Sequence, residues 1–309
     1  MPIKTQDTKF SFNGHQTFPL RYGWIEKICI ELVPEFGKKD IPLAALQPDI
    51  LVAAHGLGQN MAKSARYWLR AASILEENNQ TKTANFTDFG WSLFGVDGKD
   101  RYLEDLTSVW RIHWRLTLNS RLAPSWFWYF NFFGRQSFDR QDLIDDIASV
   151  NSSGEKVIKR DVDCFVRSYV SAPELRDFNE DNMQSPLSDL SLFSAGAGNI
   201  LRARRGGRRD LSKTLLAASL LRLWNSLNRV SRTISLEACH DQPFSPGRVF
   251  LMDRSNLENA IEELESEKSG LKLDRSSGLS QIAISDVGEF EKFCKKELPP
   301  QNLMGWMGE

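Results

Sequence analysis

The residues from Pro48 to Leu75 read PDILVAAHGLGQNMAKSARYWLRAASIL, two helix-forming runs separated by Gly56-Leu57-Gly58. In the second run apolar residues recur at helical spacing, and glycine interrupts the pattern only between the runs. Two helices joined by a short glycine-containing turn predict a helix-turn-helix. The strand-like residues that follow, in TANFTDFGWSLFG from Thr83 to Gly95, stand where such a motif carries a wing.

The second predicted helix has two faces. One is an apolar stripe of Met61, Ala65, Trp68, Leu69 and Ala72, and the other carries Lys63, Arg66, Tyr67 and Arg70. A cationic face on the second helix of such a motif favours contact with DNA phosphates and bases, and we expect Asn60, Lys63, Arg66 and Arg70 to make that contact. The alternative is a pair of ordinary packed helices with a solvated cationic face.

The remaining sequence predicts a mainly α protein with short β hairpins. An amphipathic helix is expected from Tyr102 to Leu118, and near the C-terminus SNLENAIEELE is helical while LKLDR, SSG and LSQIAI are typical of strand, turn and strand. We therefore predict winged-helix-like N- and C-terminal domains joined by a helical middle, at residues 1–100, 101–175 and 176–309. The acidic, proline-containing stretch near 172–190 is the preferred boundary.

Five arginines lie in or beside the segment ARRGGRR. Gly206-Gly207 is a good two-residue hairpin turn, so the sequence predicts an arginine-rich hairpin. Arginine makes bidentate phosphate contacts whose affinity falls with salt, and we expect DNA binding by Arg204, Arg205, Arg208 and Arg209. A solvated loop, or a dock for an acidic partner surface, is the alternative.

Composition excludes several classes of protein. The net charge of the 309 residues is −1, so no global excess of positive charge attracts a polyanion. The four cysteines lie far apart without a CxxC pair, which is neither a zinc spacing nor a secreted disulfide framework. The N-terminus lacks the apolar run of a signal peptide, and WFWYFNFF is too short to span a bilayer. A cytoplasmic protein is expected.

No catalytic motif can be read from spacing alone. Gly56-Leu57-Gly58 lacks the lysine of a phosphate-binding loop and the third glycine of a dinucleotide site. His15 would need carboxylates from elsewhere in the fold to act as a base or metal ligand. His113, between Ile112 and Trp114, is favoured as a core histidine.

Several stretches nevertheless resemble one family. They are GHQTFPLRYGW from Gly14, GLGQNMAKSARYW from Gly56, DRYLEDLTSVWRIHW from Asp100, EDNMQSPLSDLSLF, SPGRVFLMD and GLKLDRSSGLSQI, in this order. Together they are similar to the SspB family of bacterial DNA phosphorothioation proteins over nearly the whole chain. Gln59 stands where the family commonly has Lys, and Met183-Gln184-Ser185 stand where it often has Leu-Asp-Cys, so no role is assigned at the latter three positions.

The resemblance implies a nickase that opens one DNA strand so that sulfur can replace a non-bridging phosphate oxygen, in a modification that supports defence against phage. It implies a divalent ion, Mg²⁺ or Mn²⁺, and three partners: a cysteine desulfurase, an ATPase and a sulfurtransferase. The resembling motifs give His15, Glu104, Asp105 and His113 as candidate catalytic residues and Arg21 as a further DNA contact. The nucleophile and the metal ligands stay unassigned.

Two other functions remain open from the sequence. The absence of a recognisable nuclease constellation favours a non-catalytic subunit that recognises DNA or acts as a scaffold for the same machinery. A transcriptional regulator also fits the helix-turn-helix. The opening motif FNGHQTFPLRYGW is expected to be both a buried plug and the rim of a site, with Phe12, Phe18, Leu20 and Trp24 inside and His15, Gln16, Arg21 and Tyr22 at a surface.

Overall fold

The computed structural model describes residues 10–170, 184–227, 229, 231–275 and 280–298. The described residues form two compact units. The first comprises those of Met1–Trp128 and Arg135–Arg202, and the second those of Tyr129–Gly134 and Ala203–Glu309. The mainly helical class with short antiparallel strands is confirmed. No helix among the described residues is long and apolar enough to cross a membrane.

The first unit begins with a helix-turn-helix and a hairpin. The elements are α1 (Trp24–Phe36), β1 (Ile41–Pro42), a 3₁₀ turn (Leu43–Leu46), α2 (Pro48–His55), α3 (Gln59–Ala71), β2 (Leu75–Asn78) and β3 (Thr83–Phe86). The strands form one antiparallel sheet in the order β1-β3-β2. Gly56 ends α2 with φ +66°, a conformation that glycine adopts without the penalty of a Cβ atom, and this turns the chain into α3.

Further helices complete this unit. They are α4 (Asp88–Phe94), α5 (Leu106–Leu118), α6 (Pro124–Trp128), α7 (Arg140–Val150) and α8 (Glu155–Tyr169), with short strands β4 (Ser137–Phe138), β5 (Phe193–Ala195) and β6 (Leu201–Ala203). Trp68 of α3, Trp114 of α5 and Trp126 of α6 are fully buried, and Trp126 stacks edge-on against both Trp68 and Phe165. An aromatic core therefore joins the helix-turn-helix to the helices that follow it.

The second unit contains a segment from the middle of the chain. Residues Tyr129–Phe133 form a π-helical turn, followed after Arg202 by α9 (Lys213–Ser226), β7 (Thr233–Ser235), α10 (Leu236–Asp241), α11 (Pro246–Val249), α12 (Arg254–Ser266), β8 (Leu271–Asp274), β9 (Gln281–Ile284) and α13 (Val287–Cys294). Arg248 donates to the carbonyls of Phe130 and Phe132, which holds the turn in this unit.

The N-terminal part of the first unit, from α1 to β3, and the second unit, from α9 to β9, share one order of elements. In each, a helix precedes a short strand, helices follow, and a hairpin closes an antiparallel sheet whose strand order is first, third, second. The helix directly before the hairpin is α3 in the first unit and α12 in the second. The C-terminal region therefore repeats the element order of the N-terminal region, as the sequence pattern predicted.

Several local predictions need correction. The helix expected from Tyr102 begins only at Leu106, because Asp105 caps it by accepting from the Thr107 N–H. Little of that helix faces solvent, since every residue from Val109 to Leu118 except Arg111 is buried. Gly206-Gly207 is not a hairpin turn, because residues 204–209 form no strand.

Two predicted features lie outside the described residues. Most of the boundary proposed near 172–190 falls on residues 171–183, and the SSG turn falls on residues 276–278. The strands on either side of that turn are confirmed as β8 and β9, which pair antiparallel with Leu271 opposite Ile284.

Candidate nucleic-acid interface

The beginning of α3 presents polar side chains to solvent. Gln59, Asn60 and Lys63 are exposed, and Lys63 forms no ion pair within the described part of the chain. The amide of Gln59 donates a hydrogen bond to the Asp49 carboxylate of α2. Residues of this helix have the donors that phosphate oxygens and base edges accept, so this face has the chemistry of a DNA-contacting surface.

The two arginines of α3 are tied to the hairpin. Arg66 donates to the Glu77 carboxylate with an Nε–Oε1 distance of 2.7 Å, and Arg70 Nε lies 3.6 Å from Oε2 of the same side chain. The Glu77 side chain is 6% exposed, whereas Arg66 and Arg70 keep 20% and 36% of their side chains exposed. One carboxylate therefore offsets part of the positive charge of both arginines while fixing their direction.

Tyr67 does not lie on the cationic face where the sequence placed it. Its side chain is 5% exposed and packs edge-on against His15, and its hydroxyl donates to the Leu122 carbonyl. Gly14 passes directly over this ring, where an added Cβ atom would stand only 2.5 Å from Tyr67 Cδ2. Its φ of +124° also favours glycine, so this position accepts no other residue without strain.

The opening motif forms a buried polar connection rather than an open site. His15, 1% exposed, has its Nε2 atom 3.1 Å from Asp161 Oδ1. The other carboxylate oxygen of Asp161 accepts from the Ser125 hydroxyl at 2.5 Å and from the Ser125 N–H at 3.1 Å. All three residues are essentially inaccessible, so this cluster joins the N-terminal segment to α6 and α8 and exposes no nucleophile.

Opposing influences act on the protonation of His15. Burial lowers its pKa, whereas Cys164 and Asp161 raise it, and the net direction is upward. The Thr17 N–H, however, donates to Nδ1 at 3.0 Å, and a protonated Nδ1 would face that donor. We therefore assign the neutral ring, with its proton on Nε2 and donated to Asp161.

The predicted rim residues of the motif divide between surface and interior. Gln16 is exposed and Tyr22 is half-buried. The Tyr22 hydroxyl lies 2.5 Å from Asp189 Oδ2. Burial raises the pKa of Tyr22, and the hydrogen bond to Asp189 raises it further. Arg21 is only 3% exposed, and its guanidinium lies 5.1 Å and 5.3 Å from the rings of Phe18 and Trp24. Stacking on two rings explains this packing, and it withdraws Arg21 from the surface at which the sequence placed it.

The candidate catalytic residues do not come together. Glu104 and Asp105 are exposed at the start of α5, and their backbone N–H groups both donate to the Asp100 carboxylate. His113 is fully buried and its Nδ1 lies 2.7 Å from the Tyr169 hydroxyl, which matches the core role favoured by its sequence neighbours. His15 bonds to Asp161 instead.

No group of three or more His, Cys, Asp and Glu side chains is arranged to hold a metal ion in the described part of the chain.

The arginine segment is largely built into its own unit. Arg205 donates to the Gly247 and Met252 carbonyls, and Arg208 donates to those of Phe250 and Leu251. These four carbonyls belong to α11 and the turn after it, so both arginines fasten the segment to that turn. Burial lowers the pKa of Arg208. Arg204 and Arg209 stay exposed, and they are the members of the predicted set that reach solvent.

Sequence patterns did not identify some of the residues that organise this region. Glu77 gave no sign of pairing with two arginines, because the hairpin register that brings it to α3 is a tertiary feature. Asp161 is not among the site residues that the sequence predicted. An apolar pattern on α8 marks Asp161 as interior, since it lies between Ile158 and Phe165 on the buried stripe.

Comparison with known proteins places the chain in a family. The family described as "Protein of unknown function (DUF4007)" matches residues 12–296. The chain belongs to this family. No curated protein matches it.

Two solved structures are similar to this DUF4007 chain. One is a crystal structure of SspB, with 28% identity and a TM-score of 0.78 over 95% of this chain and 88% of that one. The other is a magnesium ion-bound SspB crystal structure, with 26% identity and a TM-score of 0.75 over 97% and 92%. The resemblance to SspB that the motifs predicted is confirmed.

Proposed function

We propose that this protein is the DNA-binding component of a single-strand DNA phosphorothioation system, and that α3 with the β2–β3 hairpin forms a winged helix that contacts the duplex. The observation that carries the proposal is the basic face of α3, with Lys63 exposed and Arg66 and Arg70 partly exposed, directly before a hairpin. A helix in this position enters the major groove in winged and related helix-turn-helix proteins, while the hairpin lies along the backbone.

Charge distinguishes the two helices that precede hairpins. The α3 sequence contains Lys63, Arg66 and Arg70 and no acidic residue. The α12 sequence contains one arginine and four glutamates: Glu258, Glu262, Glu263 and Glu265. Phosphates are attracted by the first helix and repelled by the second, so the proposed DNA contact belongs to the N-terminal winged helix.

The similarity to SspB supports the biological setting of the proposal. On this basis the chain acts beside a cysteine desulfurase, an ATPase and a sulfurtransferase, in a DNA modification connected with defence. Recognition of the target site, which the later enzymes need, is the task that the geometry of α3 serves most directly.

The test is a salt titration of binding to duplex DNA. Replacing Arg66 with Ala should weaken binding to all sequences alike and reduce the slope of log K against log salt by roughly one unit. The exposed Lys99, on the turn after α4, provides a matched control as Lys99→Ala. Equal slopes in wild type and Arg66→Ala would contradict a phosphate contact by this arginine.

Nicking is a second candidate function, favoured by the magnesium ion-bound SspB neighbour. Its test is a supercoiled-plasmid assay with Mg²⁺ or Mn²⁺ and a chelator control. Open-circle product that disappears with Glu104→Gln, while DNA binding persists, would support a nickase with chemistry near the start of α5. Binding without nicking, in both metals and in the presence of the partner enzymes, would leave DNA recognition as the function.

A further inference from the structure

A groove opens between α1 and α2 of the first unit. It encloses about 290 Å³ and its apolar floor comes from two helices. The floor residues are Ile28, Leu32 and Phe36 of α1 and Leu51 and Ala54 of α2. Ala44 and Ala45, from the 3₁₀ turn between these helices, close one side without filling the space.

One edge of the groove exposes a large apolar side chain. Ile50 lies on α2 one turn before Ala54 and is 52% exposed. In the described part of the chain the other exposed large hydrophobic residues are Val96, Tyr102 and Leu227, and only the first two are more open to solvent than Ile50. An exposed isoleucine beside an apolar groove extends the surface that an apolar ligand side chain would cover.

The rim of the groove is negatively charged. Glu31 and Glu35 are one turn apart on α1, are both exposed, and line the groove from the same side. Glu31 lies 3.5 Å from His55 Nε2, and the His55 side chain is 4% exposed. No lysine or arginine is among the lining residues. The groove therefore combines an apolar floor with two exposed carboxylates at its edge, one of them beside His55.

We propose that this groove is a docking site for a positively charged amphipathic helix of a partner protein. Apolar residues of that helix would fill the groove and cover Ile50, while its lysines or arginines would face Glu31 and Glu35. Nucleic acid is disfavoured because the same glutamates repel phosphate. The volume is at the lower limit of small-molecule sites, about 300–1,000 Å³, and suits one or two anchoring side chains.

The groove shares no residue with the proposed DNA contact. Its lining comes from α1, the 3₁₀ turn and α2, and none comes from α3 or the hairpin. A partner bound here would leave Asn60 and Lys63 free to contact DNA. The proposal thus goes beyond DNA binding and stands independently of it: the N-terminal winged helix would hold a partner protein and DNA at the same time.

The experiment measures binding of a fluorescent peptide to the full chain by anisotropy. The probe is a helical peptide of about 18 residues, above the length at which isolated helices become marginal. It has leucines on one face and lysines on the other, and a control peptide has glutamates in place of the lysines. Only the basic peptide should bind, and its affinity should fall with added salt.

Two variants locate the binding surface. Reversal of both rim charges in Glu31→Lys/Glu35→Lys should lower the affinity for the basic peptide on the order of tenfold. The control Asp97→Lys/Asp145→Lys makes the same change in net charge at exposed positions outside the groove and should leave that affinity unchanged. Ile50→Ser removes only apolar contact at an exposed position. It should lower the affinity for the basic peptide severalfold without changing the melting temperature of the protein.

Equal binding of the acidic peptide would overturn the proposal. So would unchanged affinity in both Glu31→Lys/Glu35→Lys and Ile50→Ser, or an equal loss in the Asp97→Lys/Asp145→Lys control. DNA binding is measured on the same preparations. The groove variants leave α3 intact, so they should bind DNA like the wild type, and a failure of the groove proposal can be distinguished from a failure of the proposed DNA binding.

Discussion

Glu77 is the residue that sets the charge presented by α3. It pairs with Arg66 and Arg70 together while being nearly buried itself. A carboxylate in this place competes with DNA phosphates for the two guanidinium groups, so that both arginines are weaker phosphate ligands than an exposed lysine would be.

Glu77→Gln should therefore strengthen DNA binding at low salt. Removing the negative charge of Glu77 should add roughly 1 kcal/mol to the free energy of DNA binding, or about fivefold in affinity, and should steepen the dependence of that affinity on salt. The measurement is anisotropy of labelled duplex DNA against salt, with the melting temperature checked in parallel. The gain should vanish in the triple variant that adds Arg66→Ala and Arg70→Ala. Weaker binding by Glu77→Gln would mean that the carboxylate positions the arginines instead of competing for them.

Glu26 gives a second prediction at this scale, through its protonation. The side chain is 4% exposed, and burial raises its pKa above the ordinary 4.5 although backbone N–H groups act in the opposite direction. The unfolded chain ionises near 4.5, so folding is penalised above that pH, and the penalty grows until the folded-state pKa is passed. Below 4.5 both states are protonated and the penalty is absent.

Glu26→Gln should accordingly stabilise the protein at neutral pH and leave its stability unchanged near pH 4. The measurement is the free energy of unfolding in urea at both pH values. Glu35→Gln, an exposed position on the same helix, serves as the control. A stabilisation equal at the two pH values would contradict the role of ionisation.

At the scale of elements, the polar cluster on α8 holds the opening motif in place. Asp161 accepts from the Ser125 hydroxyl, the Ser125 N–H and His15 Nε2, so three buried donors depend on one carboxylate. The chain from Gly14 to Leu20 then runs over Tyr67 and Trp68, and the Phe18 carbonyl accepts from Trp68 Nε1 at 3.1 Å. The motif is thus part of the core that supports α3.

Asp161→Ala should destabilise the protein by roughly 3–5 kcal/mol, because the three donors lose their acceptor where water cannot replace it. Asp163→Ala, two residues further along α8, removes partly exposed pairs with Arg140 and Lys159 and should cost less than about 1 kcal/mol. Urea unfolding of both variants checks the difference. Similar losses for the two would show that Asp161 does not carry this connection.

The sequence predicted helices and strands well where a regular pattern of residues lay within one continuous stretch. The glycine turn before α3 and the alternating residues of β8 and β9 are local signals, and both elements are present. The predicted hairpin turn at Gly206-Gly207 was wrong because tertiary contacts determine the path of this segment. The carbonyls that bind Arg205 and Arg208 come from residues about forty positions later, beyond the reach of any local pattern. For the same reason the sequence identified the basic residues of α3 and missed the carboxylate that pairs with two of them.

At the scale of the whole molecule, the N-terminal part of the first unit and the second unit share one order of elements, but their helices before the hairpins differ in charge. The helix before the hairpin is basic in the first unit and acidic in the second, although the chain as a whole is nearly neutral. Net charge therefore concealed the feature on which the proposed function depends. This difference in charge agrees with the proposal that the helix before the first hairpin contacts DNA and the helix before the C-terminal hairpin does not.

The most direct test of this division compares two charge reversals in the full chain, Lys63→Glu on α3 and Lys272→Glu on the C-terminal hairpin, by their affinity for duplex DNA. Both lysines are exposed, so neither change should disturb folding. The account predicts that Lys63→Glu weakens binding on the order of tenfold and lowers the salt slope by one to two units, roughly, while Lys272→Glu changes neither. Unchanged binding by Lys63→Glu, or an equal loss in Lys272→Glu, would contradict it.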